Sequence, residues 1–137
     1  MLLTTKGRYA VMAMVDLAQQ IESEKPAKVQ EIAKRQEISL SYLEQIFNKL
    51  KNAKIITAIR GPGGGYVLGE VAEKIYVSEV IKAVAEPIKF TRCKADESCV
   101  ANSSKCKTHI LWRGLENKVE GYLANITIAD ICKGKLK

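Results

Sequence analysis

Three thiols and the chain's single histidine fall within seventeen residues, in the pattern Cys93-x5-Cys99-x6-Cys106-x2-His109. Three soft thiolates and one borderline imidazole complete a four-coordinate shell for iron or zinc. Zinc sites usually pair cysteines two to four residues apart, and only the step from Cys106 to His109 resembles that. The wider steps suit a larger inorganic core whose ligands must be spread out, as an iron–sulfur cluster requires. Arg92, Lys94, Lys105 and Lys107 surround the set, where positive charge favours thiolates and offsets an anionic cluster. Packing cysteines, a redox disulfide and a zinc knot are the competing readings. The polar, aperiodic setting of these three thiols speaks against simple packing. Cys132, by contrast, lies among Ile128 and Ile131 and reads as a packing residue.

No second chemistry is visible. Nothing pairs a nucleophile with a base, no two carboxylates form an acid/base arrangement, and His109 serves better as a ligand than as a general base. An enzyme is not expected. The run Gly61-Pro62-Gly63-Gly64-Gly65 lacks a following Lys-Ser/Thr and leads into a strand rather than a helix, which speaks against a phosphate-cradling loop and leaves a plain structural hairpin as the competitor to a DNA-binding wing.

The elements that must position these residues follow from periodicity. A length of 137 residues suits one DNA-binding-sized domain with an accessory element. A net charge of +7 favours a polyanionic partner, either nucleic acid or an anionic surface. No window approaches the roughly 18 apolar residues of a membrane span, and no targeting segment is visible, so a cytoplasmic, reducing location without membrane attachment is expected.

Residues 5–22 read as an amphipathic helix with Val11, Met14, Val15, Ala18 and Ile21 as its apolar stripe. A short helix follows over about 28–36, with Val29, Ile32 and Ala33 inward. After the tight turn Glu37-Ile38-Ser39, a helix over 40–52 carries Leu43, Ile46, Phe47 and Leu50 on one face and Ser41, Glu44, Gln45, Asn48 and Lys49 on the other. Ser39 or Ser41 is placed to cap it, and Ser41-x-x-Glu44 fits a capping box. Two short helices about a tight turn, the second polar outside, match a helix-turn-helix.

The β-branched run Ile55–Arg60, the glycine turn and Tyr66-Val67-Leu68 then form a hairpin. Directly after a helix-turn-helix such a hairpin is a wing. Gly63 and Gly64 permit close backbone approach to DNA, and Arg60 is placed to enter the narrow minor groove. Val77, Val80, Ile81 and Val84 mark another helix, with Ser78 expected to cap it and Pro87 to stop it. Residues 91–107 read as a loop. A longer helix over about 108–124 bears Leu111, Leu115, Val119, Tyr122 and, beyond it, Ile126, a stripe suited to a symmetry mate. Thr127-x-x-Asp130 caps a last short turn.

The fold class is therefore mainly α with a small β wing, a winged helix-turn-helix plus a long dimerisation helix. The expected organisation is a DNA-binding domain over 1–70, connecting helices over 71–90, a cluster-binding loop over 91–109, and a dimerisation helix with a C-terminal turn over 110–137.

Lys6-Gly7-Arg8-Tyr9-Ala10, Ile38-Ser39-Leu40-Ser41-Tyr42-Leu43-Glu44-Gln45 and Arg60-Gly61-Pro62-Gly63-Gly64-Gly65-Tyr66, together with Cys106-x2-His109 and Leu111-Trp112-Arg113, resemble the iron–sulfur cluster regulators of the Rrf family of bacterial winged-helix transcription regulators. The resemblance covers nearly the whole chain. It implies a homodimer with one [2Fe–2S] cluster per subunit on Cys93, Cys99, Cys106 and His109, supplied by the iron–sulfur assembly machinery. The cluster-bearing form is expected to repress cluster-assembly genes, and the apo form to bind a second class of sites on double-stranded DNA. The resemblance places Ser39, Ser41, Tyr42, Glu44 and Gln45 at the DNA face of the recognition helix and Arg60 in the wing. Glu44 is the expected discriminator between site classes, because a carboxylate accepts from cytosine and repels phosphate. The chain departs from the family in having six rather than five residues between Cys99 and Cys106 and in carrying Cys132. A [4Fe–4S] cluster serving a nitric-oxide or redox signal is the alternative within the family. A zinc-stapled interaction module without a DNA role is the alternative outside it.

Overall fold

The computed structural model describes residues 5–20, 25–84 and 107–136. Cys93, Cys99 and Cys106, all but the last residue of the loop expected over 91–107, and Pro87 lie outside the described residues.

Helix α1 (Thr5–Gln19) buries Ala10, Ala13, Met14 and Leu17, an i, i+3, i+4, i+7 stripe. Of the stripe expected from the sequence only Met14 is fully buried. Val11, Val15 and Ala18 pack at its border, half-buried, and Ile21 lies outside the described residues. Two neighbouring stripes satisfy the same helical period. The alanine-bearing one faces inward because small side chains let neighbouring helices approach closely.

Helix α2 (Val29–Gln36) ends at Glu37, which takes the left-handed conformation at φ 55° and ψ 44°. The following Ile38 donates its N–H to Ala33 O at 3.0 Å, closing the helix end while redirecting the chain. Helix α3 (Leu40–Asn52) then buries Leu43, Ile46, Phe47 and Leu50, the face expected from its pattern. Strands β1 (Ile56–Ile59) and β2 (Gly65–Leu68) pair antiparallel, with Ile56 opposite Leu68 and Ile59 opposite Gly65.

The hairpin is held to the helices at two points. Ala27 and Tyr66 exchange backbone hydrogen bonds of 2.9 and 2.7 Å, so the segment before α2 adds a one-residue third strand. The Tyr66 ring also meets Phe47 edge-on at 5.0 Å between centroids, a favoured aromatic geometry.

Helix α4 (Val77–Val84) buries Val77, Val80, Ile81 and Val84, as its spacing predicts. Ser78 is not its cap: the helix begins one residue earlier, at Val77, whose N–H donates to Ile126 O at 2.9 Å. Ile128 N–H donates in return to Ile75 O at 2.9 Å. A two-way backbone ladder thus does the work assigned to a serine hydroxyl.

Helix α5 (His109–Ala124) has no fully buried residue. Helix α6 (Ile128–Cys132) opens on a complete capping box between Thr127 and Asp130, as the sequence indicates. Its Ile128 joins the same core as α1, α3 and α4. Cys132 is half-buried, its Sγ 3.9 Å from Val15 O, in agreement with a packing role. The architecture is mainly helical with a two-stranded wing.

Candidate nucleic-acid interface and metal centre

The outer face of α3 is a row of short polar side chains. Ser39, Ser41, Glu44 and Gln45 are exposed, and Asn48 and Lys49 continue the row. The capping box expected between Ser41 and Glu44 is not formed. Ser39 is the N-cap, with extended backbone and no side-chain cap bond, so Ser41 and Glu44 both lie inside the helix. Ser39 O accepts from Leu43 N–H at 2.9 Å, the first hydrogen bond of the helix. The polar side chains of the first turn are therefore left facing outward. Tyr42 is half-buried, its ring edge-on to Tyr9 of α1 at 5.8 Å.

Arg60 is exposed immediately after β1, at the mouth of the glycine turn. Gly61 and Gly63 take φ of +96° and +77°, conformations that side chains rarely adopt. Gly63 is exposed, and Gly64 is half-exposed with its N–H donating to Gly61 O at 2.9 Å. A Cβ on Gly64 would collide with Ile59 O, so the tight turn itself demands glycine there. A cleft lined by Lys28, Gln30, Gly64 and Tyr66 separates this turn from the start of α2.

A buried charge holds the first helix of the helix-turn-helix in place. Asp16 on α1 is 3% exposed and accepts from both Arg35 and Gln36 at the end of α2. This clasp was not read from the sequence. The available signal was a carboxylate between Val15 and Leu17 on an apolar helix, which calls for a partner if buried.

Of the four candidate metal ligands, His109 alone lies among the described residues. It is the first residue of α5 and is half-buried. Among the described residues no three His, Cys, Asp or Glu side chains come together as a metal site. The fit to a cluster is therefore one of donor chemistry: three thiolates and one imidazole suit iron. Beyond His109, α5 exposes Ile110, Leu111, Trp112, Leu115 and Tyr122. No helix of the described residues is long and apolar enough to cross a membrane.

Comparison with known proteins gives this arrangement its family. Residues 3–134 match the model of the Rrf2 family, described as iron-dependent transcriptional regulators. The chain is 48% identical over 131 residues to the HTH-type transcriptional regulator IscR of Serratia proteamaculans, covering 96% of this chain and 79% of that one. Among solved structures, T. potens IscR is 32% identical with a TM-score of 0.79, covering 99% of this chain and 89% of that one. CymR, the global cysteine regulator of B. subtilis, gives the same TM-score at 31% identity, covering 97% of each chain. These relatives are transcriptional regulators rather than enzymes, and this chain belongs with them to the Rrf2 family of winged-helix, DNA-binding transcriptional regulators.

Proposed function

We propose that the chain is a dimeric cytoplasmic repressor that senses iron–sulfur cluster status and controls cluster-assembly genes. One observation carries the DNA half of this reading. The polar face of α3 and the Arg60 wing sit on a single body, joined by the Ala27–Tyr66 hydrogen bonds and the Phe47–Tyr66 ring contact. With α3 in the major groove, Ser39, Ser41, Glu44 and Gln45 face the DNA and Tyr42, its ring on Tyr9, borders that face, while Gly63 and Gly64 let the wing backbone come close. Arg60 enters the adjacent minor groove, whose negative potential attracts a guanidinium. Glu44 accepts from a cytosine N4 amine and turns away sequences that present acceptors at that place.

Cys93, Cys99, Cys106 and His109 hold the cluster, a [2Fe–2S] centre delivered by the assembly machinery. Cys93, Cys99, Cys106 and His109 would supply three thiolates and one imidazole to such a cluster, which would serve as the sensed group and not as a DNA contact. His109 opens α5, which runs about 24 Å to the Ile126–Ile128 ladder on Ile75 and Val77. The state of the ligand loop thus bears on the helices that support the reading head. The exposed apolar side chains of α5 pair with those of a second copy, which matches the two-fold symmetry of palindromic sites.

Two measurements test the reading. Anaerobic purification followed by visible spectroscopy and iron and sulfide analysis should give equal iron and sulfide, two of each per chain. Absence of both overturns the cluster, four of each selects the [4Fe–4S] alternative, and zinc alone selects the stapled module. A gel shift on the chain's own promoter duplex should show binding that weakens steeply with salt. No shift at low salt in either the apo or the cluster-bearing form overturns the DNA role.

A further inference from the structure

Leu40 departs from the pattern of its helix. The other apolar residues of α3, Leu43, Ile46, Phe47 and Leu50, are at most 1% exposed, whereas Leu40 is 40% exposed. A single exposed leucine needs no explanation on an ordinary surface. Here it is the first residue of α3, flanked by the exposed Ser39 and Ser41 and four residues before the exposed Glu44. Residues four apart share a helix face. In a helix-turn-helix the N-terminal residues of the second helix meet the base edges. Tyr42, the other large side chain of this turn, has its ring packed against Tyr9, which leaves Leu40 as the outward apolar group of the turn.

The major groove offers a matching feature. Its base edges carry donors, acceptors and one apolar group, the C5-methyl of thymine. We propose that Leu40 packs on a thymine C5-methyl group and so specifies a thymine beside the base pair read by Glu44. One helical turn spans about 5.4 Å and one base step about 3.4 Å, so the thymine lies within about two base pairs of that position. Contact removes the methyl group and part of the leucine side chain from water, a gain worth about three- to tenfold in affinity. The site is continuous with the DNA interface and rests on the proposed placement of α3 in the major groove.

The test uses deoxyuridine, which keeps the pairing and the O4 acceptor of thymidine and lacks only the methyl group. Wild-type protein first selects its preferred duplexes from a random-sequence pool. The selected duplex is then resynthesised with deoxyuridine at one thymine position at a time. Wild type should lose about three- to tenfold in affinity at one thymine per half-site. Leu40→Ala should bind the thymine and deoxyuridine duplexes equally, and Leu40→Met should restore the difference. An unchanged thermal midpoint shows that Leu40→Ala is folded. If no thymine is sensitive, or if Leu40→Ala loses the same factor on both duplexes, the methyl contact is overturned. If wild type selects no sequence at low salt, the failure lies with the DNA reading itself and the contact falls with it.

Discussion

Arg35 of α2 clasps the buried carboxylate of Asp16 on α1, its Nη2 donating to Oδ1 at 2.7 Å and its Nε to Oδ2 at 3.0 Å. Gln36 Nε2 adds a third hydrogen bond at 2.9 Å. Burial alone would push this carboxyl up. The hydrogen bonds from Arg35 and Gln36, with the charge of Arg35, outweigh it and hold the carboxyl below its ordinary range. A carboxyl depressed by folding stabilises the protein above its unfolded value, about 3.9. That stabilisation is lost as pH falls through the lower folded value. The thermal midpoint should therefore fall on acidification below about pH 4, and more shallowly in Asp16→Asn. The same substitution should cost about 1–3 kcal/mol at pH 7, kept modest because Arg35 is 40% exposed. Calorimetry from pH 2 to 7 checks this, and parallel curves for the two proteins would contradict it.

Gly65 sits where the wing meets the segment before α2, and a Cβ there would stand 2.5 Å from Ala27 O. Gly65→Ala should force the hairpin away from Ala27 and turn the wing off its line. DNA affinity should fall at least tenfold while far-UV helicity is retained, because the helical core does not depend on that contact. Gly63→Ala is the comparison: φ of +77° strains it, but nothing lies within 4 Å of its Cβ, so it should leave the Ala27–Tyr66 pairing in place. Loss of protection of the Ala27 and Tyr66 amides in hydrogen exchange, confined to Gly65→Ala, identifies the cause.

Arg60 and Glu44 should fail in different ways. Arg60→Ala should weaken binding to all duplexes by about 1–3 kcal/mol and flatten the salt dependence. Glu44→Ala should change which duplexes are accepted, with losses on some and gains on others. Binding to a panel of single-base variants separates the two, and a uniform loss in Glu44→Ala would remove its role as discriminator.

His109→Ala should lower the iron and sulfide retained on anaerobic gel filtration and alter the visible spectrum, since one donor of four is gone. Lys118→Gln, nine residues later on α5 and exposed, leaves the donor set and its surrounding charge whole and should retain both. Retention in both variants would remove His109 from the ligand set.

Trp112 and Leu115 belong to the exposed apolar side chains of α5. Sedimentation should give wild type at twice the chain mass of 15.2 kDa and the double variant Trp112→Glu, Leu115→Glu at that mass. A dimeric double variant would locate the two-fold interface elsewhere.

The reading helix and the wing were legible because both are local. The face buried by α3 follows from residues within thirteen positions, and the turn from adjacent glycines. What escaped was set by contacts between distant segments. The α1 stripe was misplaced because periodicity gives a helix but not the neighbours that choose its inward side. A serine near a helix start favours a cap at Ser78, while the partner of Val77 lies at Ile126, in another part of the chain. The Asp16 clasp joins residues nineteen and twenty positions apart, and only its buried carboxylate left a trace in the pattern. Cys93, Cys99, Cys106 and His109 are a ligand set proposed from residue types and spacing, and His109 alone of the four is described.

Ile128 is fully buried in the core that also holds Met14, Leu43 and Phe47. During synthesis, the helices that read DNA leave the ribosome well before α6, and their core stays open on one side until α6 arrives. At about 5–20 residues per second, the stretch from Val84 to Cys132 takes about 2–10 s. The reading head of a nascent chain is thus completed late, only once residues 128–132 have emerged and Ile128 can close its core.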